Sequence, residues 1–158
     1  MGLTTRKMIA ADLPAVREVL VASGAFSDEE VRSALDMLDA GLAGEQEDGY
    51  WLFVAEADAQ VRGYVCISPT PLTTSTWHLY WICVDPGARR CGIGRALQAH
   101  AEQFIRARGG ERMVLETSGR PDYEPSRRFY EQAGYRPAGR IRDYYKPGDD
   151  CVFYCKIL

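Results

Sequence analysis

The sequence predicts an α/β fold: a mixed sheet with helices on both faces, in the order β-α-α-β-β-β-α-β-α-β-β. Three observations carry this. The chain has 158 residues, the size of one domain at about 100–200 residues each. Its 46% hydrophobic and 26% charged residues are an ordinary globular mixture that builds a core without staples. Short apolar or alternating runs suited to strands are interleaved with amphipathic helical stretches. Residues 1–158 are therefore expected to form a single domain.

Each element follows in turn. Leu3 to Met8 reads as a first strand. Ala11 to Ser23 reads as a helix, with Asp12 near its start and Leu13, Val16, Val19 and Leu20 at helical spacing. Ser27 followed three residues later by Glu30 is a capping box. It opens a second helix with Val31, Ala34, Leu35 and Leu38 inward, running out between Gly41 and Gly44. Tyr50 to Ala57 and Gln60 to Ser68 flank Asp58-Ala59 as a hairpin. His78 to Val84 is apolar on both faces, as a covered central strand is. Ile93 to Arg108 carries Ile93, Ala96, Leu97, Ala101, Phe104 and Ile105 on one helical stripe and stops at Gly109-Gly110. Arg112 to Thr117 is another buried strand, so this strand–helix–strand unit predicts a right-handed parallel crossover. A loop through Gly119, Pro121 and Pro125 leads to a helix over Ser126 to Ala133. Strands over Tyr135 to Arg142 and Cys151 to Ile157 end the chain.

Composition removes several functions. Nineteen Lys and Arg stand against 22 Asp and Glu, a formal net charge of -3, which argues against a nucleic-acid binder. Five cysteines and two histidines, without ligand spacing, argue against a disulfide framework and predict no metal. No apolar run approaches the roughly 20 residues of a membrane span, and Met1 to Ala11 has no signal-peptide core. A cytoplasmic address is expected.

The most informative segment is Val84-Asp85-Pro86-Gly87-Ala88-Arg89-Arg90-Cys91-Gly92-Ile93-Gly94-Arg95, between a buried strand and the start of a strong helix. Unpaired amides and the positive end of the helix dipole favour an anion there. Gly92 and Gly94 allow close approach of the main chain. Arg89, Arg90 and Arg95 add cations without an acid among them, which suits phosphate. A P-loop would need Lys-Ser/Thr where Ile93-Gly94 stands, and a dinucleotide fingerprint would need a small residue where Leu97 stands. A tight turn beside solvated arginines is the competing structural reading.

Arg89-x-x-Gly92-x-Gly94, followed later by Phe129-Tyr130-Glu131-Gln132-Ala133-Gly134-Tyr135, resembles the two signatures of the GNAT superfamily of acetyl-CoA-dependent N-acetyltransferases. The resemblance spans nearly the whole chain and implies a GNAT-like fold. It places the backbone of Ile82, Cys83 and Val84 along the pantetheine arm of acetyl-CoA. It makes Arg90, Cys91, Gly92, Ile93, Gly94 and Arg95 the pyrophosphate cradle, opened by Arg89. Tyr123 stands where the family often has a pantetheine-binding Asn, and Ser126 where it has Ala.

Within this resemblance Tyr130 is the expected general acid; an ordinary phenol is protonated at neutral pH. Glu116, in Leu115-Glu116-Thr117, is similar to the proposed base of ribosomal-protein N-terminal alanine acetyltransferases. A solvated strand-end Glu is the plain alternative, and His78 and Tyr80 are lesser candidates for the base. Cys83 and Cys91 read as packing and loop filling. The predicted activity is direct transfer of an acetyl group to a primary amine in a ternary complex. The acceptor is a small amine, an amino-acid-like metabolite or a peptide N-terminus. Arg142-Asp143-Tyr144-Tyr145 resembles the tyrosine segment lining the peptide groove in N-terminal acetyltransferases. Asp149, Asp150 and Glu45-Gln46-Glu47-Asp48 would favour a cationic acceptor. A non-catalytic acyl-CoA sensor is the alternative from another class, and exposed strand edges leave room for a homodimer.

Overall fold

A computed structural model describes residues 2–44 and 49–158. The strands are β1 (Leu3–Lys7), β2 (Trp51–Ala57), β3 (Gln60–Pro69), β4 (Thr76–Val84), β5 (Arg112–Ser118), β6 (Arg136–Lys146) and β7 (Asp149–Ile157). The helices are α1 (Leu13–Ala22), α2 (Asp28–Ala43), α3 (Ile93–Ala107) and α4 (Glu124–Gln132). The strands form one sheet in the order β1-β2-β3-β4-β5-β7-β6. Every neighbouring pair is antiparallel except β4 and β5. The expected element order and mixed sheet are both observed.

Local chemistry starts and stops these elements. Asp58 and Ala59 both take positive φ, 52° and 60°, the backbone of a two-residue hairpin turn whose twist matches its strands. The Ser27 hydroxyl accepts the Glu30 N–H at 3.2 Å, and the Glu30 carboxylate accepts the Ser27 N–H at 2.7 Å. Pro125, expected in a loop, instead sits in the first turn of α4; no intrahelical donor is needed there. The last hairpin is longer than expected. Asp143 turns at φ 52°, its N–H bonds Asp150 at 2.9 Å, and its carboxylate accepts the Gly148 N–H at 2.7 Å. These bonds carry an irregular β6 through Tyr144 and Tyr145 to Lys146.

The sheet has two covered faces. Ile93, Leu97, Ala101 and Ile105 of α3 pack on Val65, Ile67, Leu79, Met113 and Leu115. Val16, Val19 and Leu20 of α1, with Ala34 and Leu38 of α2, cover Leu52, Val54, Tyr64 and Cys66 on the other face. Burying one such aliphatic side chain stabilises by about 1.5–3 kcal/mol. Glu102 of α3 receives both Lys156 and the Gln98 amide, tying α3 to β7.

Two departures from regularity open the middle of the sheet. The parallel ladder of β4 and β5 runs only from Thr76↔Arg112 to His78↔Val114. Beyond it the strands part, so the β5-facing edge of β4 loses its ladder partner. In addition, Cys66 pairs with Trp81 and Ile67 with Leu79, which leaves Tyr80 as a bulge residue. The extra residue changes the phase of β4. Leu79 and Ile82 face α3, whereas Tyr80 and Trp81 both pack toward α1 and α2.

At the outer edge, Arg6 holds Asp12 at 2.8 Å and Glu56 at 2.7 Å, while Asp12 also accepts the Ile9 N–H at 2.9 Å. Arg6 keeps the Asp12 carboxyl below the usual carboxylate range. A depressed folded pKa adds stability that is present above the ordinary carboxylate pKa and lost as pH falls through the folded value. Asp12→Asn should therefore lower the unfolding free energy at neutral pH by about 1.5–3 kcal/mol. Urea titrations across pH check this: the gap should close as pH falls below the ordinary carboxylate pKa and through the depressed folded value, and a gap that ignores pH contradicts the assignment.

Candidate active site

The glycine loop is built by Asp85. Its carboxylate accepts the Gly87 N–H at 2.9 Å and pairs with Arg62 at 2.6 Å, and both partners hold it below the usual carboxylate range. The chain then turns at Arg90, φ 66°, and Gly92, φ 79°, and enters α3. Among the described residues, the N–H groups from Cys91 to Arg95 have no acceptor. Five donors thus converge at the positive end of a 15-residue helix, the geometry that takes a diphosphate.

The two glycines serve different ends. A Cβ on Gly92 would meet nothing within 4 Å, so its positive φ and the open space above it set the requirement. A Cβ on Gly94 would come within 3.0 Å of Phe129 Cε2 and 3.6 Å of Val84 Cγ2. Gly94 therefore seats α4 against the loop, which joins the two sequence signatures in space. Gly94 thus has a packing requirement besides the close approach expected from the sequence.

Below the loop, a cleft of about 890 Å³ lies between the α1–α2 side, the parted strands, the start of α4 and the last hairpin. Ile82 and Tyr130 line it, as do His78, Tyr80, Trp81 and Glu116. His78 Nε2 lies 3.0 Å from Glu116 Oε2, just past the last rung of the β4–β5 ladder. Tyr80, two residues beyond His78 and so on the same face of β4, stacks on it with ring centroids 4.3 Å apart. The predicted base candidates therefore share one side of the cleft. Tyr130 packs between Phe129 and Tyr135. Burial, and secondarily Cys83, pushes its phenol above the ordinary range, not at the normal value expected from sequence. It keeps its proton across neutral pH.

Other predicted residues fall in varied places. The Arg89 guanidinium donates to the Ser23 carbonyl at 3.1 Å, tying the loop to the end of α1. Arg90, Cys91 and Arg95 are exposed on the loop and first turn of α3, and Ile93 is buried beneath them. Packing does not account for Cys91. It does account for Cys83, whose thiol points to the Val19 carbonyl at 3.7 Å and is pushed up by burial. Val84 packs on the α3 side. Tyr123 caps α4 and reaches across the cleft to Glu30 at 3.5 Å. Ser126 lies inside α4. Asp149 lines the cleft, whereas Asp150 is engaged by Arg140 at 2.7 Å. Residues 45–48 lie outside the described residues.

The α2 wall escaped the sequence reading. Glu30, Ser33 and Met37 line the cleft, and their spacing of three and four marks one helical face beside the apolar stripe. Trp81 Nε1–H donates to Met37 Sδ at 3.1 Å and its ring meets Phe26 edge-on at 5.2 Å. Neither contact has a local signal. Among the described residues no group of three or more His, Cys, Asp or Glu is arranged to hold a metal, and no helix is long and apolar enough to cross a membrane.

Residues 13–135 match the family model of the GNAT acetyltransferases. The chain belongs to the GNAT acetyltransferase family. Acetyl-CoA dependence is general in that family. A GNAT-family acetyltransferase from Desulfovibrio desulfuricans is 36% identical, with a TM-score of 0.93 over 99% of both chains. An N-acetyltransferase from Methanocaldococcus jannaschii is 30% identical over 115 residues, 68% of this chain and 70% of that one. The ribosomal-protein-S18-alanine N-acetyltransferase of Escherichia coli shares the GNAT fold, at 22% identity and TM-score 0.78 over 99% of this chain and 94% of that one. The chain spans between 24% and 70% of the length of the curated relatives it matches.

Gly92→Asp tests the loop of this GNAT chain. The variant strains a backbone held at φ 79° and, above all, sets a side chain and a negative charge in the open space where a diphosphate would sit. Coenzyme A affinity, read by calorimetry, should fall by about 100-fold or more. An unchanged affinity contradicts the loop assignment.

Proposed function

We propose that the chain moves the acetyl group of acetyl-CoA directly onto a primary amine held in the cleft, in one ternary complex. One observation carries this reading: five free loop amides, an unpartnered β4 edge and the Glu116–His78 pair converge where β4 parts from β5. The loop amides, with Arg90 and Arg95 beside them, suit the pyrophosphate. The free edge at Ile82 to Val84 offers backbone partners to the pantetheine arm, which would lay the thioester near Tyr130.

Each chemical demand then has a group. The acceptor arrives as an ammonium and attacks as a neutral amine. Glu116 takes the proton, held in place by His78, which Tyr80 braces from behind. The amine nitrogen attacks the carbonyl carbon, and a backbone N–H on the free β4 edge receives the charge on oxygen. The carbon–sulfur bond breaks and the Tyr130 hydroxyl donates to the departing sulfur. Cys83 does not carry the acyl group, because its protonated thiol points to α1. The acceptor is a small amine, an amino-acid-like metabolite or a peptide N-terminus.

Thiol release from acetyl-CoA across a panel of amines tests the activity; a protein that binds coenzyme A yet releases no thiol with any amine contradicts it. Glu116→Gln should lower kcat by about 10- to 100-fold, with part of the loss recovered at high pH, where the amine is already neutral. Tyr130→Phe should lower kcat by a similar factor with little change in the acetyl-CoA KM. An unaltered kcat in either variant removes that residue from the chemistry.

A further inference from the structure

Asp149 opens β7 beside the cleft and is only 8% exposed. One of its carboxylate oxygens accepts the Ser118 hydroxyl. Among the described residues nothing donates to the other oxygen, and the side chain borders the cleft. A carboxylate has room for about four donors, and the second oxygen, which is not a buried atom, leaves acceptor positions open at the cleft. The sheet relates this group to the proposed base. Glu116 and Ser118 lie two residues apart on β5, on the same face, so about 7 Å separates them along the strand. Asp149 sits on Ser118, one short alkyl chain away from Glu116.

The rest of the wall agrees in sign. Glu29, Glu30 and Asp122 add three more carboxylates to this cleft. Of its two cations, Arg120 is held by Asp122 at 3.1 Å and Lys146 is exposed at the hairpin corner. We propose that the acceptor is a primary amine bearing a second cationic nitrogen, which Asp149 receives while the reacting amine faces Glu116. This rests on the cleft being the acceptor site. An acceptor with a carboxylate in place of the second nitrogen would meet Asp149 and be repelled.

Three acceptors of matched length test this with acetyl-CoA and the full chain: 1,4-diaminobutane, 1-aminobutane and 4-aminobutanoate. The diamine should exceed the monoamine in kcat/KM by about tenfold or more, with 4-aminobutanoate the poorest. Asp149→Asn, which keeps the shape and a partner for Ser118, should cut the diamine-to-monoamine ratio by about tenfold, chiefly through the diamine KM. Should that variant fail to fold, the wild-type ratio decides: it should exceed one and shrink as salt rises. A ratio near one, a ratio unmoved by Asp149→Asn, or 4-aminobutanoate as the best acceptor overturns the second-cation proposal and leaves acetyl transfer standing. No transfer to any of a wider amine panel overturns the acetyl transfer itself.

Discussion

Beside Thr76 to His78, β4 and β5 are held together by a short parallel ladder; past His78 they are not, and the candidate active site lies in that parting. A parallel pair needs a crossover helix, and α3 supplies it while pointing its N-terminus at the mouth of the gap. The same connection that makes the sheet mixed thus delivers a ring of free amides next to an unpaired strand edge. The bulge at Tyr80 completes the arrangement by turning two neighbouring side chains to one face. Without it, Trp81 would face α3 and the cleft would lose an aromatic wall.

Charge is divided along the gap. At its mouth the loop carries Arg89, Arg90 and Arg95 around uncapped amides, and its one acid, Asp85, is turned inward to Arg62 and Gly87. Deeper in, Glu29, Glu30, Glu116, Asp122 and Asp149 face the cleft. A chain of net charge -3 thereby presents opposite fields at the two ends of the groove, in keeping with the proposed anionic co-substrate and cationic acceptor. On the proposed reading, that separation lets both substrates bind together in one ternary complex.

Most of the fold was legible because its signals are local. The Ser27 capping box, the Asp58-Ala59 turn and the α3 stripe all mark the elements that formed. The loop and Phe129-Tyr130 were legible as two motifs, though not the contact between Gly94 and Phe129 that joins them. The bulge at Tyr80 was hidden because His78 to Val84 is apolar throughout, and a phase change leaves no trace in such a run. Arg89 reads as a loop cation from its place in the motif; its bond to the end of α1 joins distant segments and leaves no signal along the chain. The α2 wall and the Ser118–Asp149 contact depend on packing between distant segments, which spacing along the chain does not encode.

A crystal structure with coenzyme A bound tests the central claim most directly. The account predicts the diphosphate on the amides of Cys91 to Arg95 and the pantetheine arm along Ile82 to Val84, with its sulfur beside Tyr130. Coenzyme A bound on another face, or its sulfur outside the gap between β4 and β5, would contradict it.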